Sequence, residues 1–304
     1  MAIITTGSHP KLLWPGIKEV YGRQYNEHAK EYTDLFDMET SNKHREELVE
    51  VTGFGLAPIK KQGSGTQYDS ETQGDVTALI NVTYALGYIC TWEELQDNLY
   101  KIVSKRRSRA LAFSINQTIE NVGANTYNRG FNSSYVGGDG VELFSTGHVT
   151  KNGTQSNLAA TSADMSETAI EDMIIQIMGA TNSRGLKINL TAKSLHVHRN
   201  DHFKANRILK STLQNDTSNN AVNALKATNS LPGGIKLNHY FTDGDAYFIR
   251  TNVPTGTGMV FYWRHKPELT QDNDFDTNNA KAKSIMRFIN GWGDWRGAYG
   301  NPGA

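Results

Sequence analysis

The chain has 304 residues, more than one compact domain usually needs, with 38% apolar and 20% charged side chains and 31 acidic residues against 31 basic ones. This balance excludes a broadly disordered chain and any global charge excess that would draw the protein onto nucleic acid or an anionic membrane, so electrostatic function has to be local. Cys90 is the single cysteine; no intrachain disulfide can form, and its apolar setting predicts a buried small side chain in a reducing compartment.

The opening residues show neither the basic region nor the long apolar stretch of a secretory signal, and no later segment has the length of a membrane span. A soluble, unexported protein is expected. The Asn-x-Ser/Thr sequons at Asn81, Asn116, Asn132, Asn152, Asn189 and Asn215 then read as chance in an Asn- and Thr-rich chain.

Residues 15–38 are polar, with Tyr21, Tyr25, Tyr32 and Phe36 at roughly helical spacing, which suits either an arm that packs on a neighbour or an ordinary surface helix. Residues 48–56 and 76–90 alternate or are β-branched and read as strands. Between them residues 60–75 contain no apolar aliphatic side chain, so this stretch cannot build a core of its own and predicts a long projecting hairpin.

Thr91 and Glu94 have the form of a capping box, so a helix starts there. Leu95, Leu99, Ile102, Val103, Ala110 and Phe113 continue one apolar stripe, broken at Arg106, and Leu111, Ile115, Ile119 and Val122 form a second. Gly123 is the first interruption; about 30 helical residues would span about 45 Å, a strut more than a packing element. Ser166 caps a further helix with Ile170, Met173, Ile174, Ile177 and Met178 on its core face and Gly179 at its end. Strands are expected at 186–190, 194–198, 245–250, 258–264 and 282–289, with a helix over 201–213. Helices and strands mix without a βαβ rhythm, which favours an α+β architecture.

Few residues suggest chemistry. His196 and His198 on a strand, followed by His202, would place two imidazoles on one face, as some metal-dependent hydrolases require, but a catalytic metal also needs carboxylate or further His ligands and a general base, and a single His-x-His pair is a weak signal. Asp272, Asp274 and Asp276 lack the Gly and closing Glu of a calcium loop, and no phosphate loop, dinucleotide fingerprint or nucleophile elbow is present. No catalytic residue, metal ligand or cofactor is therefore assigned. The basic run Lys105, Arg106, Arg107 and Arg109 can meet DNA phosphates without base readout or can be a solvated helix face.

Several stretches resemble the major capsid proteins of tailed bacteriophages. They are residues 83–100 (TYALGYICTWEELQDNLY), 137–148 (GGDGVELFSTGH), 184–188 (RGLKI), 208–211 (ILKS), 219–225 (NNAVNAL), 240–249 (YFTDGDAYFI) and 287–304 (RFINGWGDWRGAYGNPGA). The likeness departs from the family at residues 194–202, where consecutive prolines are expected and Leu195-His-Val-His198 stands instead.

The resemblance implies a Hong Kong 97-like α+β fold divided into an N-terminal arm (1–45), an extended β-hairpin loop (46–90), a spine helix with peripheral domain (91–160), an axial domain (161–255), return strands of the peripheral domain (256–290) and a C-terminal axial segment (291–304). It implies structural work: pentamers and hexamers closing an icosahedral virion shell around double-stranded DNA, bound without sequence specificity, assembled in the host bacterial cytoplasm with a scaffolding protein, a portal and a decoration protein, and without a membrane. Tyr21, Tyr25, Lys60, Lys61 and Tyr68 are then the candidate intersubunit contacts, and Lys105, Arg106, Arg107 and Arg109 the candidate DNA-facing residues. A bacterial nanocompartment shell of the encapsulin kind shares the fold and is the alternative, with a metal-dependent hydrolase behind it.

Overall fold

Two apolar periodicities organise the chain, a helical one in a single long strut and a two-residue one in strands that return to it from far along the sequence. The computed structural model describes residues 14–97, 100–214 and 221–304, without the side chains of residues 14–16, 95–96 and 100–104. In chain order the elements are α1 (Trp14–Glu27), α2 (Tyr32–Leu35), β1 (Asp37–Thr40), β2 (Arg45–Val51), β3 (Gln73–Ile80), β4 (Val82–Cys90), α3 (Trp92–Gln96) and α4 (Tyr100–Asn128). Then come β5 (His148–Thr150), β6 (Gly153–Gln155), α5 (Glu167–Met178), β7 (Ala192–His198), α6 (His202–Lys210), α7 (Ala224–Ala227) and β8 (Ile235–Asn238). The chain finishes with β9 (Tyr247–Thr251), β10 (Met259–Asn273), β11 (Ala280–Trp292) and β12 (Ala298–Asn301).

The strut is α4, whose 29 residues extend about 44 Å at the standard rise. Leu111, Ile115 and Ile119 are buried, as the second stripe requires, with Val122 packed at their edge. The first stripe is not core: Ala110 is exposed and Phe113 is 45% exposed, because a helix laid on one sheet buries one face only. Leu99 lies outside the described residues, as do the side chains of Leu95, Ile102 and Val103.

Both ends of the strut differ from the sequence reading. Thr91 does cap a helix, its hydroxyl accepting Glu94 N–H at 3.4 Å, but α3 stops after one turn and Glu94 is taken by Arg107 at 2.8 Å. At the other end α4 runs through Gly123 to Asn128. That glycine serves packing and does not terminate the helix, since a Cβ there would lie 3.1 Å from Tyr32 Cβ. Tyr32 and Phe36 thereby reach the aromatic layer with Phe261 and Tyr127 beneath the helix.

Under the strut lies a four-stranded sheet in the order β1-β10-β11-β4, with β10 and β11 forming a long antiparallel hairpin. The second sheet, β12-β9-β7-β8, carries its own core, where Ile170, Met173, Ile174 and Ile177 of α5 meet Leu195, Val197 and Ile249. Met178, expected on that core face, is 55% exposed at the last turn of α5. Residues 186–190 do not form a strand: Lys187 makes one bridge to Thr181, and Asn189 takes the left-handed conformation at φ 50, which ends any extended run.

The run read as one strand over 76–90 serves two sheets. β3 pairs with β2, β4 pairs with β11, and the crossing falls at Asn81. Asn81 is buried there, its amide group donating to Ser41 Oγ at 2.9 Å and to Lys43 O at 3.0 Å.

Candidate assembly surfaces

The β2–β3 hairpin is held along its strands, where the Gly138 N–H donates to Thr77 Oγ1 at 3.2 Å, and at its root. Thr52 and Thr72 exchange hydrogen bonds, Lys151 donates to the Thr72 hydroxyl at 2.9 Å, Ser183 donates to Glu50, and Arg184 clasps Asp69 at 2.6 Å. The Gly55 N–H, the Ser70 N–H and Arg184 all stabilise the Asp69 carboxylate and hold its pKa below the usual range. Beyond that root the chain is open: Phe54, Leu56, Ile59 and Tyr68 are 59%, 82%, 96% and 93% exposed. An apolar set this exposed is left uncovered among the described residues and marks a candidate interaction surface.

Lys60, Lys61 and Tyr68 all lie exposed on this projection. Tyr21 and Tyr25 lie elsewhere. Tyr21 is buried under α1 with its hydroxyl 2.7 Å from Ser284 Oγ, and Tyr25 stacks beside it at 6.3 Å, so both rings are occupied inside their own chain. On α4, Lys105, Arg106 and Arg109 are exposed, whereas Arg107 is committed to Glu94 and to Cys90 Sγ at 3.1 Å.

The histidines are internal. His196 is buried with its Nε2 2.9 Å from the Ser194 hydroxyl, and burial together with Arg250, Lys236 and Lys193 pushes its pKa down to about 3. His198 accepts the Asn200 N–H at 3.3 Å as the cap of a short turn. Among the described residues no group of three or more His, Cys, Asp or Glu side chains is placed to hold a metal ion. Asp274, in the β10–β11 turn, is paired with Lys281 at 2.7 Å.

A cleft of about 550 Å³ separates the hairpin root from the body, with Glu50, Asp139, Trp292, Trp295 and Arg296 on its walls. Behind Asp139 and Trp295 lies a polar knot that sequence reasoning missed. Asn157, fully buried, donates through its amide nitrogen to Leu143 O (2.7 Å), Trp295 O (3.1 Å) and Ala298 O (3.0 Å). Its Oδ1 accepts the Ser145 N–H at 3.0 Å and lies 3.0 Å from His148 Nε2, while His148 Nδ1 is 2.5 Å from Asp139 and the ring stacks on Trp295 at 4.3 Å. One Asn thus joins the loop after the strut to the C-terminal strand. The signal available in sequence was the 137–148 and 287–304 stretches themselves, whose turn-rich polar residues have no role until they are brought together.

Comparison with known proteins decides the assignment, because the profile of the family described as phage capsid protein matches residues 81–301. The chain belongs to that capsid family. Its fold is shared with the virus-like particle of Pyrococcus furiosus (9% identity, 95% of this chain and 98% of that one, TM-score 0.54). It is shared equally with the capsid of Myoviridae phage XM1 (14%, 88% and 90%, 0.53) and with the capsid of an empty GTA particle (10%, 89% and 88%, 0.52). No curated protein matches the chain. The capsid fold is the Hong Kong 97-like α+β fold, and the chain is a major structural subunit of a phage capsid shell. Among the described residues of this capsid protein no helix is long and apolar enough to cross a membrane.

Proposed function

We propose that this subunit forms pentamers and hexamers that close an icosahedral head around double-stranded DNA, with no catalytic step of its own. The projecting hairpin carries this reading: Phe54, Leu56, Ile59 and Tyr68 lie in solvent, and a neighbouring subunit is the surface that would cover them. Residues 46–90 then act as the loop that crosses to the neighbour, with Lys60, Lys61 and Tyr68 as contact residues. Residues 1–45 act as the arm, in which Tyr21 and Tyr25 serve first to seat α1. The peripheral domain comprises 91–160 with return strands 256–290, and the axial domain 161–255 with 291–304. Lys105, Arg106 and Arg109 face the DNA and neutralise phosphates without reading bases. Arg107, bound to Glu94, contributes less.

A scaffolding protein, a portal and a decoration protein are the expected partners, with assembly in the host cytoplasm. Electron microscopy of the purified full chain, with mass from light scattering, tests the reading. Closed shells or capsomer rings are expected, and nuclease-protected DNA in the virion distinguishes a head from a cargo-enclosing nanocompartment. A compact monomer in the presence of scaffold would overturn it.

A further inference from the structure

Residues 28–36, the stretch that leads from α1 through α2 to β1, are wedged between two bodies that share no strand: the strut α4 and the second sheet. Polar contacts hold them on both sides. Lys236 of β8 pairs with Asp34 at 3.0 Å, and Arg250 of β9 reaches Asp34 O at 3.1 Å and Asp37 at 3.0 Å. On the strut side Tyr127 donates its hydroxyl to Leu35 O at 2.9 Å, and one carboxylate, Glu120, takes the start of α2. Glu120 is 4% exposed and accepts the Glu31 N–H at 3.0 Å and the Tyr32 N–H at 2.9 Å, the first free donors of α2. Glu31 in turn accepts the His239 N–H at 2.8 Å and lies 2.5 Å from His239 Nδ1, just beyond β8. Three separate bodies therefore meet at two carboxylates and an imidazole.

We propose that Glu120, Glu31 and His239 form a proton-operated joint that seats residues 28–36 between the strut and the second sheet, tight when Glu120 is neutral and loosened when it ionises. The competing influences are visible in the geometry. Burial disfavours the charge, and Glu31 adds a second carboxylate beside it; the two N–H donors and Lys30 favour the charge. The first pair prevails, and the Glu120 carboxyl is raised from 4.5 to about 7. The other titratable groups facing it are the phenols of Tyr25, Tyr32 and Tyr240, which stay neutral across this range.

A carboxyl that titrates near 7 when seated and near 4.5 when released binds its proton only in the seated form between those values. Seating is therefore favoured below about 4.5 and weakens as pH rises through 7. From pH 6 to pH 8 the equilibrium for release gains about tenfold. The bearing of this joint on shell formation rests on the capsid reading above, but the joint belongs to one chain and is tested whether or not shells form.

The test is amide hydrogen exchange over residues 28–36 of the full chain at pH 6 and pH 8, with times scaled for intrinsic exchange. Protection should fall about tenfold at the higher pH. In Glu120→Gln the difference between the two pH values should vanish, although protection is lower at both because the amide nitrogen cannot accept the second N–H. Glu31→Gln removes the neighbouring charge, so Glu120 ionises more readily and the loss of protection should move to lower pH. Unchanged protection between pH 6 and pH 8, an undiminished pH effect in Glu120→Gln, or an unmoved midpoint in Glu31→Gln would each overturn the joint. The Glu31→Gln arm stands even where Glu120→Gln does not fold.

Discussion

Replacing Asn157 with Leu keeps the branched shape of the side chain and removes every hydrogen bond that Asn157 makes in the knot. The three carbonyls of Leu143, Trp295 and Ala298 lose a donor, and the Ser145 N–H and His148 Nε2 lose an acceptor. A buried polar group left unsatisfied costs about 1–3 kcal/mol, and carbonyls that keep a second lone pair fall at the low end. The expected loss is about 4 kcal/mol, a large part of the stability of an average domain. Urea unfolding of the dissociated subunit, followed by tryptophan fluorescence, reads it directly. With a slope of roughly 3 kcal/mol per M, the midpoint should fall by more than about 1 M. Asn157→Asp should be no better, because its oxygens would face the same three carbonyls. A shift under about 0.3 M for the Leu variant would mean that the knot is not holding the C-terminal strand to the strut.

Other outcomes follow from the same structure. His196 is neutral in the fold with its pKa pushed down to about 3, whereas an unfolded chain takes up that proton near 6.5, so stability is full above 6.5 and is lost as pH falls toward 3; between pH 7 and pH 5 the loss is about 2 kcal/mol, and it should be absent from the difference curve of His196→Gln in urea titrations. Gly123→Val drives a branched side chain into Tyr32, whose Cβ is already 3.1 Å from the nearest added carbon, and should cost about 2 kcal/mol by thermal unfolding. Ile59→Ser with Tyr68→Ala touches nothing within the subunit, so its melting should shift by less than about 0.5 kcal/mol while the yield of shells by light scattering falls steeply; equal loss of both would place these residues in the fold instead of the interface.

The helical strut, the capped α5 and most of the strands were legible because each carries its own periodicity. Ile115 and Ile119 repeat at helical spacing and are buried, and Ser166 caps α5 through the Ala169 N–H at 3.1 Å. What failed did so where distant residues decide the outcome. Gly123 looks like a terminator until Tyr32 is known to lie against it, and Asn81 looks like one more strand residue until Ser41 and Lys43 are seen to hold it at the crossing between sheets. The projecting hairpin was legible by default, since a stretch without aliphatic side chains cannot bury itself. Its exposed apolar residues Phe54, Leu56 and Ile59 stand just before that polar stretch; Phe54 and Leu56 read as the end of a strand over 48–56, whereas β2 stops at Val51 and leaves them in solvent. Asn157 had no signal of its own, because a polar knot closed across 138 residues to Trp295 leaves no local pattern.

The single-residue crossing at Asn81 makes the hairpin a cantilever whose beam is built into the wall. β3 leaves the root as an 8-residue strand and becomes β4 with no loop between them, and β4 is bonded along its length to β11. A load on the tip is then carried as tension and torque along two covalent legs, β3 into β4 and β2 back into β1, both ending in the sheet beneath the strut. Side-chain contacts at the root can slip without breaking either path, so a tilt of the tip and a twist of the sheet are two ends of the same deflection.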